Sequence, residues 1–267
     1  NTPGLVNVGF NGMLSGQGVL PERAPMFWDS RVEGLEAQAL IPIESREEMR
    51  GDACPESQGV PGAVARIRNI PEYRERFTRV FGGAPDASVD ATHLAQALAV
   101  FERSLVAPHT PLDRFLAGDL EALNPQQRAG LREFQDSGCI QCHGGPMLSD
   151  FKLHVLGVPD PSSTGRRSFR TPTLRQLRDT APYMHNGRFR TLDDVLQFYD
   201  ELAEAATEAQ EGGDASLQPP LDPLLARLRM NPARTSDLKA FLESIQDDDH
   251  DRTVPVRVPS GLPVAGR

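Results

Sequence analysis

A mainly α chain with long irregular loops is what the sequence predicts, on three observations. Apolar residues recur at helical spacing in five stretches, whereas strand-like alternation is scarce. Residues 1–60 are rich in Gly, Pro and Asn and poor in periodic pattern. Such a segment in a compact protein is usually functional or wrapped around something. The run Cys139-Ile140-Gln141-Cys142-His143 follows a helical stretch and precedes a Gly-Pro-rich loop. Two cysteines at this spacing can form thioethers to the vinyl groups of haem, and the adjacent histidine can then ligate the iron. Helix followed by C-x-x-C-H is the order of a c-type cytochrome fold, which is the fold class predicted.

Residues 1–60 hold the only tryptophan, in Met26-Phe27-Trp28-Asp29-Ser30-Arg31, then an amphipathic run from Leu35 to Leu40 and carboxylates at Glu44, Glu47 and Glu48. On local grounds Trp28 reads as core and the glutamates as a solvated face. Residues 61–81 read as a helix interrupted at Pro71, with Ile67, Ile70, Tyr73, Phe77 and Phe81 roughly on one face. A stronger helix over 91–106 places Leu94, Leu98, Phe101 and Leu105 at i, i+4, i+7 and i+11. His93 near its start reads as a surface residue and His109 as a loop residue. Asn124-Pro125 supplies an N-cap and an N1 proline for a helix that delivers Cys139. Residues 144–167 read as loop, with turns at Gly144-Gly145-Pro146 and Pro159-Asp160-Pro161. Thr191, with Asp194 at the capping-box position, opens a helix to about Ala209 that carries Val195, Phe198, Tyr199 and Leu202 on one face. Residues 210–220 read as a mobile insert, and Thr235 or Ser236 as the cap of a last helix through Ile245. The acidic run Asp247–Asp249 and the Pro-rich 254–267 read as a solvated, extended tail.

At 267 residues the chain can bury the core of one large or two small domains. No stretch reaches the ~18 apolar residues of a membrane span. A net charge of −9 argues against nucleic acid and favours a basic partner. The chain begins at Asn1 in a Thr-Pro turn without a signal peptide, so the expectation is that its true N-terminus is missing. Covalent haem attachment implies an exported, oxidising compartment, and the periplasm is the simplest choice. Other readings of C-x-x-C exist: zinc would need two further ligands, with only Cys54 left among the cysteines, and a thioredoxin-type pair would need a βαβ pattern. Cys54 is either free or paired outside this chain.

With His143 on one side of the iron, the other axial position could go to Met147, Met184, Met230, His154, His185, Tyr199 or water. Methionine raises the potential and suits electron transfer; tyrosine favours the ferric state and higher oxidation levels. Spacing does not choose between them.

The order of Asn1-Thr2-Pro3, Phe27-Trp28-Asp29-x-Arg31, Leu35-Glu36-x-Gln38-Ala39, Pro42 with Glu48-Met49, C-x-x-C-H, Arg170-Thr171-Pro172-Thr173-Leu174-Arg175 and Ala181-Pro182-Tyr183-Met184-His185-Asn186-Gly187 resembles the bacterial di-haem cytochrome c peroxidases and their MauG relatives. The similarity spans most of residues 1–200. It implies an N-terminal peroxidatic haem and a C-terminal electron-transfer haem, the latter being the haem c of Cys139, Cys142 and His143. It implies three parts: an inter-haem segment with peroxidatic-pocket residues (1–85), a C-terminal cytochrome c domain (86–250) and an extended tail (251–267).

Position by position, Trp28 matches the tryptophan that relays electrons between the haems. Gln38 and Glu48 match distal-pocket residues over the peroxidatic iron. A desolvated carboxylate there could move a proton between the oxygens of a peroxide. Arg170 matches a basic residue of the same region and His185 a histidine of the haem surroundings. The Asn1 side chain and the carbonyls of Thr180 and Pro182 match ligands of a calcium ion, oxygen donors suited to a hard cation. Tyr199 stands where the peroxidases carry methionine and MauG carries tyrosine, so the sequence follows MauG there, and Tyr199 is expected as the sixth haem ligand.

The N-terminal haem domain, with its own C-x-x-C-H and second haem, is not in this sequence, and the resemblance implies that it accompanies the chain. The function implied is a hydrogen-peroxide-using di-haem oxidoreductase fed by a small cytochrome or cupredoxin. The alternatives are MauG-type oxidation of tryptophan in a partner protein, and a mono-haem electron-transfer module without catalysis of its own.

Overall fold

The structure, a computed structural model, describes residues 1–161, 167–210 and 219–264. It is mostly helical, 44% helix against 4% strand, as the periodicity predicts. The helices are α1 (Leu35–Gln38), α2 (Ile41–Glu44), α3 (Gly59–Arg68), α4 (Pro71–Phe81), α5 (Ala91–Ser104), α6 (Pro111–Leu116), α7 (Pro125–Asp136), α8 (Leu192–Gln210) and α9 (Thr235–Ser244). Strand is confined to two short antiparallel pairs: β1 (Pro25–Met26) with β2 (Val32–Glu33), and β3 (Leu153–His154) with β4 (Phe169–Arg170). Among the described residues no helix is long and apolar enough to cross a membrane.

Side chains that satisfy orphan amides set several helix starts. Asn124 and Gln127 cap α7 reciprocally, with Pro125 in the first turn. Thr110 and Asp113 do the same for α6, and Thr191 and Asp194 for α8. Asp90 accepts the His93 N–H at the start of α5. One core cluster joins α7, α8 and α9 through Phe134, Leu192, Leu196, Leu238, Phe241 and Ile245. The close crossing of α7 on α9 is made at Gly130, where a Cβ would fall 2.7 Å from Phe241 Cβ. A second cluster joins α3 to α5 through Val60, Val64 and Leu94, and a third packs Met26 and Leu35 on Ala99.

Several expectations need correcting. α5 stops at Ser104, so Leu105 lies outside it, and Phe101 is 59% exposed; the buried face is Leu94, Ala95 and Ala99. Small residues carry that face because α1 lies close against it. His93 is not a free surface residue: its ring stacks on Phe81 and its Nδ1 lies 2.9 Å from Ser88 O. Thr235 is the first residue of α9 rather than its cap, because a 3-10 turn at Pro232–Arg234, capped by Asn231, runs straight into the helix. Asp247 is buried rather than solvated: its carboxylate accepts the His109 N–H, and its backbone is held by Gln176. The tail beyond it is extended but anchored, Arg252 to Asp179 and Arg257 to Glu72. Most of the insert at 210–220, residues 211–218, lies outside the described residues, as do 265–267.

Candidate active site

A continuous, mainly apolar cleft of about 1030 Å³ runs along the C-x-x-C-H segment and on to Gln38 and Glu48. Cofactor sites commonly span roughly 300–1,000 Å³, so it has room for a macrocycle.

At one end, α7 finishes at Asp136, and Gly138, with φ 89°, turns the chain into the Cys139–Gln141 turn. His143 Nδ1 lies 3.1 Å from Leu148 O. A carbonyl only accepts, so Nδ1 carries the proton and Nε2 keeps its lone pair. Burial pushes this imidazole down to about 4, so it is neutral at pH 7, as a metal ligand must be. The loop that holds Leu148 is pinned from outside. Arg175 grips Asp113 with two bonds of 2.7 and 2.8 Å and Pro146 O with its Nε, and Thr173 Oγ1 donates to Met147 O.

The axial candidates separate here. Met147 is buried and does not line the cleft. His154 has both ring nitrogens engaged, Nδ1 with Asp222 at 2.6 Å and Nε2 with Asp150 at 3.0 Å. His185 stacks on Phe169 at 3.7 Å with its Nε2 towards Asp160. Tyr199, Met184 and Met230 remain in the cleft wall. Tyr199 projects from α8 into the cluster of Leu202 and Leu225. Burial and the nearby Cys139 and Cys142 raise its phenol above the ordinary value. Its phenol therefore keeps its proton at pH 7, and a cation such as ferric iron would have to draw it out.

The middle of the cleft is built by contacts between distant segments. The β1–β2 hairpin carries Phe27-Trp28-Asp29 at its turn, with Phe27 and Ser30 at positive φ and the Arg31 guanidinium 3.8 Å above the Phe27 ring. Trp28 Nε1 donates to Asn1 O at 2.8 Å. Arg170 holds the hairpin from the other side, its amide on Trp28 O and its Nε on Phe27 O. Arg170 is buried, with no carboxylate partner among the described residues, and burial lowers its guanidinium to about 10. The Asn1 side chain reaches Pro182 O and Met184 O at 2.6 and 3.2 Å, and its backbone nitrogen reaches His185 O. Asn1 and Pro182 are thus together, with Thr180 on the same cleft wall. Their oxygens suit a hard cation, provided that the Asn1 amide turns its oxygen inward.

At the far end, Gln38 lines the cleft with its Oε1 buried and without a hydrogen-bond partner among the described residues. Glu48 lines it too but is exposed, so the desolvated carboxylate expected at that position is not found there. Two features escaped the sequence reading. Glu102, on α5, lines the same cleft with a buried, unpartnered Oε2, and the His154–Asp222 contact joins residues far apart in sequence.

Comparison with known proteins finds the same architecture. A family profile described as di-haem cytochrome c peroxidase matches residues 1–121. The chain is 32% identical to the methylamine utilization protein MauG of Methylophilus methylotrophus, over 82% of this chain and 63% of that protein. It is 31% identical to the cytochrome-c peroxidase IdrP1 of Pseudomonas sp. strain SCT, over 82% and 64%. It is 29% identical to the cytochrome c551 peroxidase of Nitrosomonas europaea, over 88% and 65%. The chain therefore spans less than two thirds of the length of these relatives. Among solved structures, a MauG-like protein associated with microbial copper homeostasis superposes with a TM-score of 0.69, 24% identity, and 93% of this chain on 75% of that one. The diheme peroxidase BthA from Burkholderia thailandensis E264 gives 0.60 at 20% identity, over 84% and 66%. At these identities the superpositions establish the fold.

Proposed function

The chain belongs to the di-haem cytochrome c peroxidase family, and we propose that it carries the electron-transfer haem of a peroxide-using, MauG-like oxidoreductase whose second haem lies in a further N-terminal domain. The observation that carries this reading is the single cleft lined both by His143 and by Gln38, Glu48 and Trp28.

The residues fit a covalent haem c. Cys139 and Cys142 would hold the vinyl groups, and His143 Nε2 and Tyr199 would ligate the iron. The haem would supply reversible one-electron chemistry, with a tyrosine ligand favouring the ferric state. The chain's own residues do the rest. Leu148 O fixes the His143 tautomer. The Arg170 clamp orients Trp28 as the bridge for electrons. Gln38 and Glu48 address the peroxide, Glu48 as acid and base. Asn1, Thr180 and Pro182 would hold a calcium ion that braces the Asn1 contact to Trp28. The compartment proposed is the periplasm. The partner is a small electron-donor cytochrome or cupredoxin, or a protein whose tryptophan is oxidised. The net charge of −9 suits a basic one.

Replacing Tyr199 by Phe and by Met in the complete haem-loaded protein tests the ligand assignment. The tyrosinate signature of the ferric absorption spectrum should vanish in both, and the potential of the Met variant should rise. An unchanged spectrum would assign the iron to Met184 or Met230 and favour an electron-transfer role. Glu48→Gln should slow peroxide-driven oxidation about 10²-fold or more; an unchanged rate would remove Glu48 from the mechanism.

A further inference from the structure

Glu102 is half-buried in this cleft with its Oε2 withdrawn from water, whereas Glu48 is exposed. We propose that Glu102 is a further acid–base residue of the cleft, carrying a proton and exchanging it with a bound peroxide. The proposal rests on the peroxidase reading above.

Glu102 stands on α5 one helical turn beyond Leu98, and both line the cleft. Its Oε2 is buried, with no partner among the described residues. Gln38 Oε1, on α1 packed against α5, is in the same condition. Two hydrogen-bond acceptors kept from water without a donor is an unfavourable state, costing roughly 1–3 kcal/mol for each unsatisfied group. A proton on Glu102 lowers that cost at its own carboxyl, which then becomes a donor, while an ionised one can only accept.

Burial raises the Glu102 carboxyl, and only the charge of Arg103 opposes this. That guanidinium is already committed to Glu36, by bonds of 2.6 and 2.7 Å. Among the described residues Glu102 makes no ion pair, and the cleft-lining Arg31 and Arg175 are paired with Asp29 and Asp113 while Arg170 is held on the Trp28 hairpin. Glu47 and Glu48 line the cleft. α3, also packed on α5, brings Arg66 and Arg68, the latter donating to Val89 O. The 3-10 turn Val8–Phe10, which packs on α5 as well, carries no charge.

Hydrogen peroxide carries one proton on each oxygen. When the O–O bond breaks, its electron pair goes to the departing oxygen, which leaves as water once a second proton reaches it. The two electrons that the cleavage consumes would come from the haem pair of the complete protein, the reductant of this step. Glu102 gives its proton to the departing oxygen and is restored by the proton lost from the other one.

The test uses the complete haem-loaded protein and its Glu102→Gln, Glu102→Asp and Glu48→Gln variants. Infrared spectroscopy at pH 7 should show the C=O stretch of a protonated carboxyl, shifted in D2O. The band should be lost in Glu102→Gln and kept in both Glu102→Asp and Glu48→Gln. In single turnovers Glu102→Gln should consume peroxide about 10²-fold more slowly, with part of the rate restored in Glu102→Asp. A band absent from the wild type, or still present in Glu102→Gln, would overturn the proton assignment whatever the activity. A Glu102→Gln rate within about twofold of wild type, from protein with full haem content, would overturn the exchange with peroxide. A wild-type protein inert to peroxide would instead refute the underlying peroxidase reading, and the infrared result would stand apart from it.

Discussion

Gly130→Ala isolates the helix crossing on which the haem end of the cleft is built. A Cβ at this position would stand 2.6 Å from the Asp237 carbonyl carbon and 2.7 Å from Phe241 Cβ. Carbon atoms pack at about 3.5–4.0 Å, so α9 would have to withdraw from α7 by roughly 1 Å. The contacts on the far side of Phe241, which is fully buried, would move with it. Overpacking of a well-filled core costs about 1–3 kcal/mol, occasionally more. Here backbone meets Cβ and no flexible chain end can give way, which places the cost near 3 kcal/mol. At about 2–4 °C per kcal/mol for a chain of this size, the melting temperature should fall by roughly 6–12 °C. Gly62, in α3, is the control, since a Cβ there would meet nothing within 4 Å. Gly62→Ala should gain only helix propensity, about 0.5–1 kcal/mol, and melt slightly higher. Differential scanning calorimetry of the two haem-loaded variants gives the answer. The sign decides: a Gly130→Ala protein as stable as wild type, or more so, would refute the close crossing.

Two further outcomes concern the haem loop. Arg175→Lys keeps the charge but cannot reproduce the two-pronged grip on Asp113, whose side chain and that of Arg175 are mostly buried (25% and 11% exposed); urea unfolding should show a loss of about 1–3 kcal/mol, and an unchanged midpoint would mean that the pair is idle. His154 is raised to about 10, first by the Cys142 thiol and then by Asp222 and Asp150, against burial. A raised folded-state value means that the stabilisation is complete below the unfolded value of about 6.5 and is lost as pH climbs towards about 10. With Cys142 bonded to haem its share disappears, so the loss should come at a lower pH. His154→Gln should flatten the decline in a pH series of melting temperatures, and an equally steep decline would exonerate His154.

What the sequence made legible was local. C-x-x-C-H, the N-cap and N1 proline at Asn124-Pro125, the capping box at Thr191 and the helix break before Pro71 each depend on residues within a few positions. α5 was misread on its far face because long apolar side chains at helical spacing suggested burial, whereas its buried residues are Leu94, Ala95 and Ala99, the last packed with Leu35 of α1. The acidic run after α9 looked solvated because nothing nearby in sequence shows that Gln176 and His109 reach Asp247. Glu102 was invisible for the same reason: the cleft that it lines is built from segments far apart in sequence. Recognition of Trp28 and Asn1 came from motif order, and the structure adds the bond between them.

The clamp on the Trp28 hairpin joins Arg170 to Phe27 across 143 positions of chain. Closing a flexible loop of that length costs roughly 4 kcal/mol in chain entropy, and the ribosome supplies the two ends far apart in time. At about 5–20 residues per second, the hairpin waits several seconds before its partner strand exists. α7 and the cysteine pair have been made by then, but their core also needs α8 and α9, which follow Arg170 in the chain. Both the tryptophan bridge and the core behind the cysteine pair therefore close only when distant segments meet, and weakening the Arg170 clamp should loosen the hairpin without removing the packing of α7 on α9.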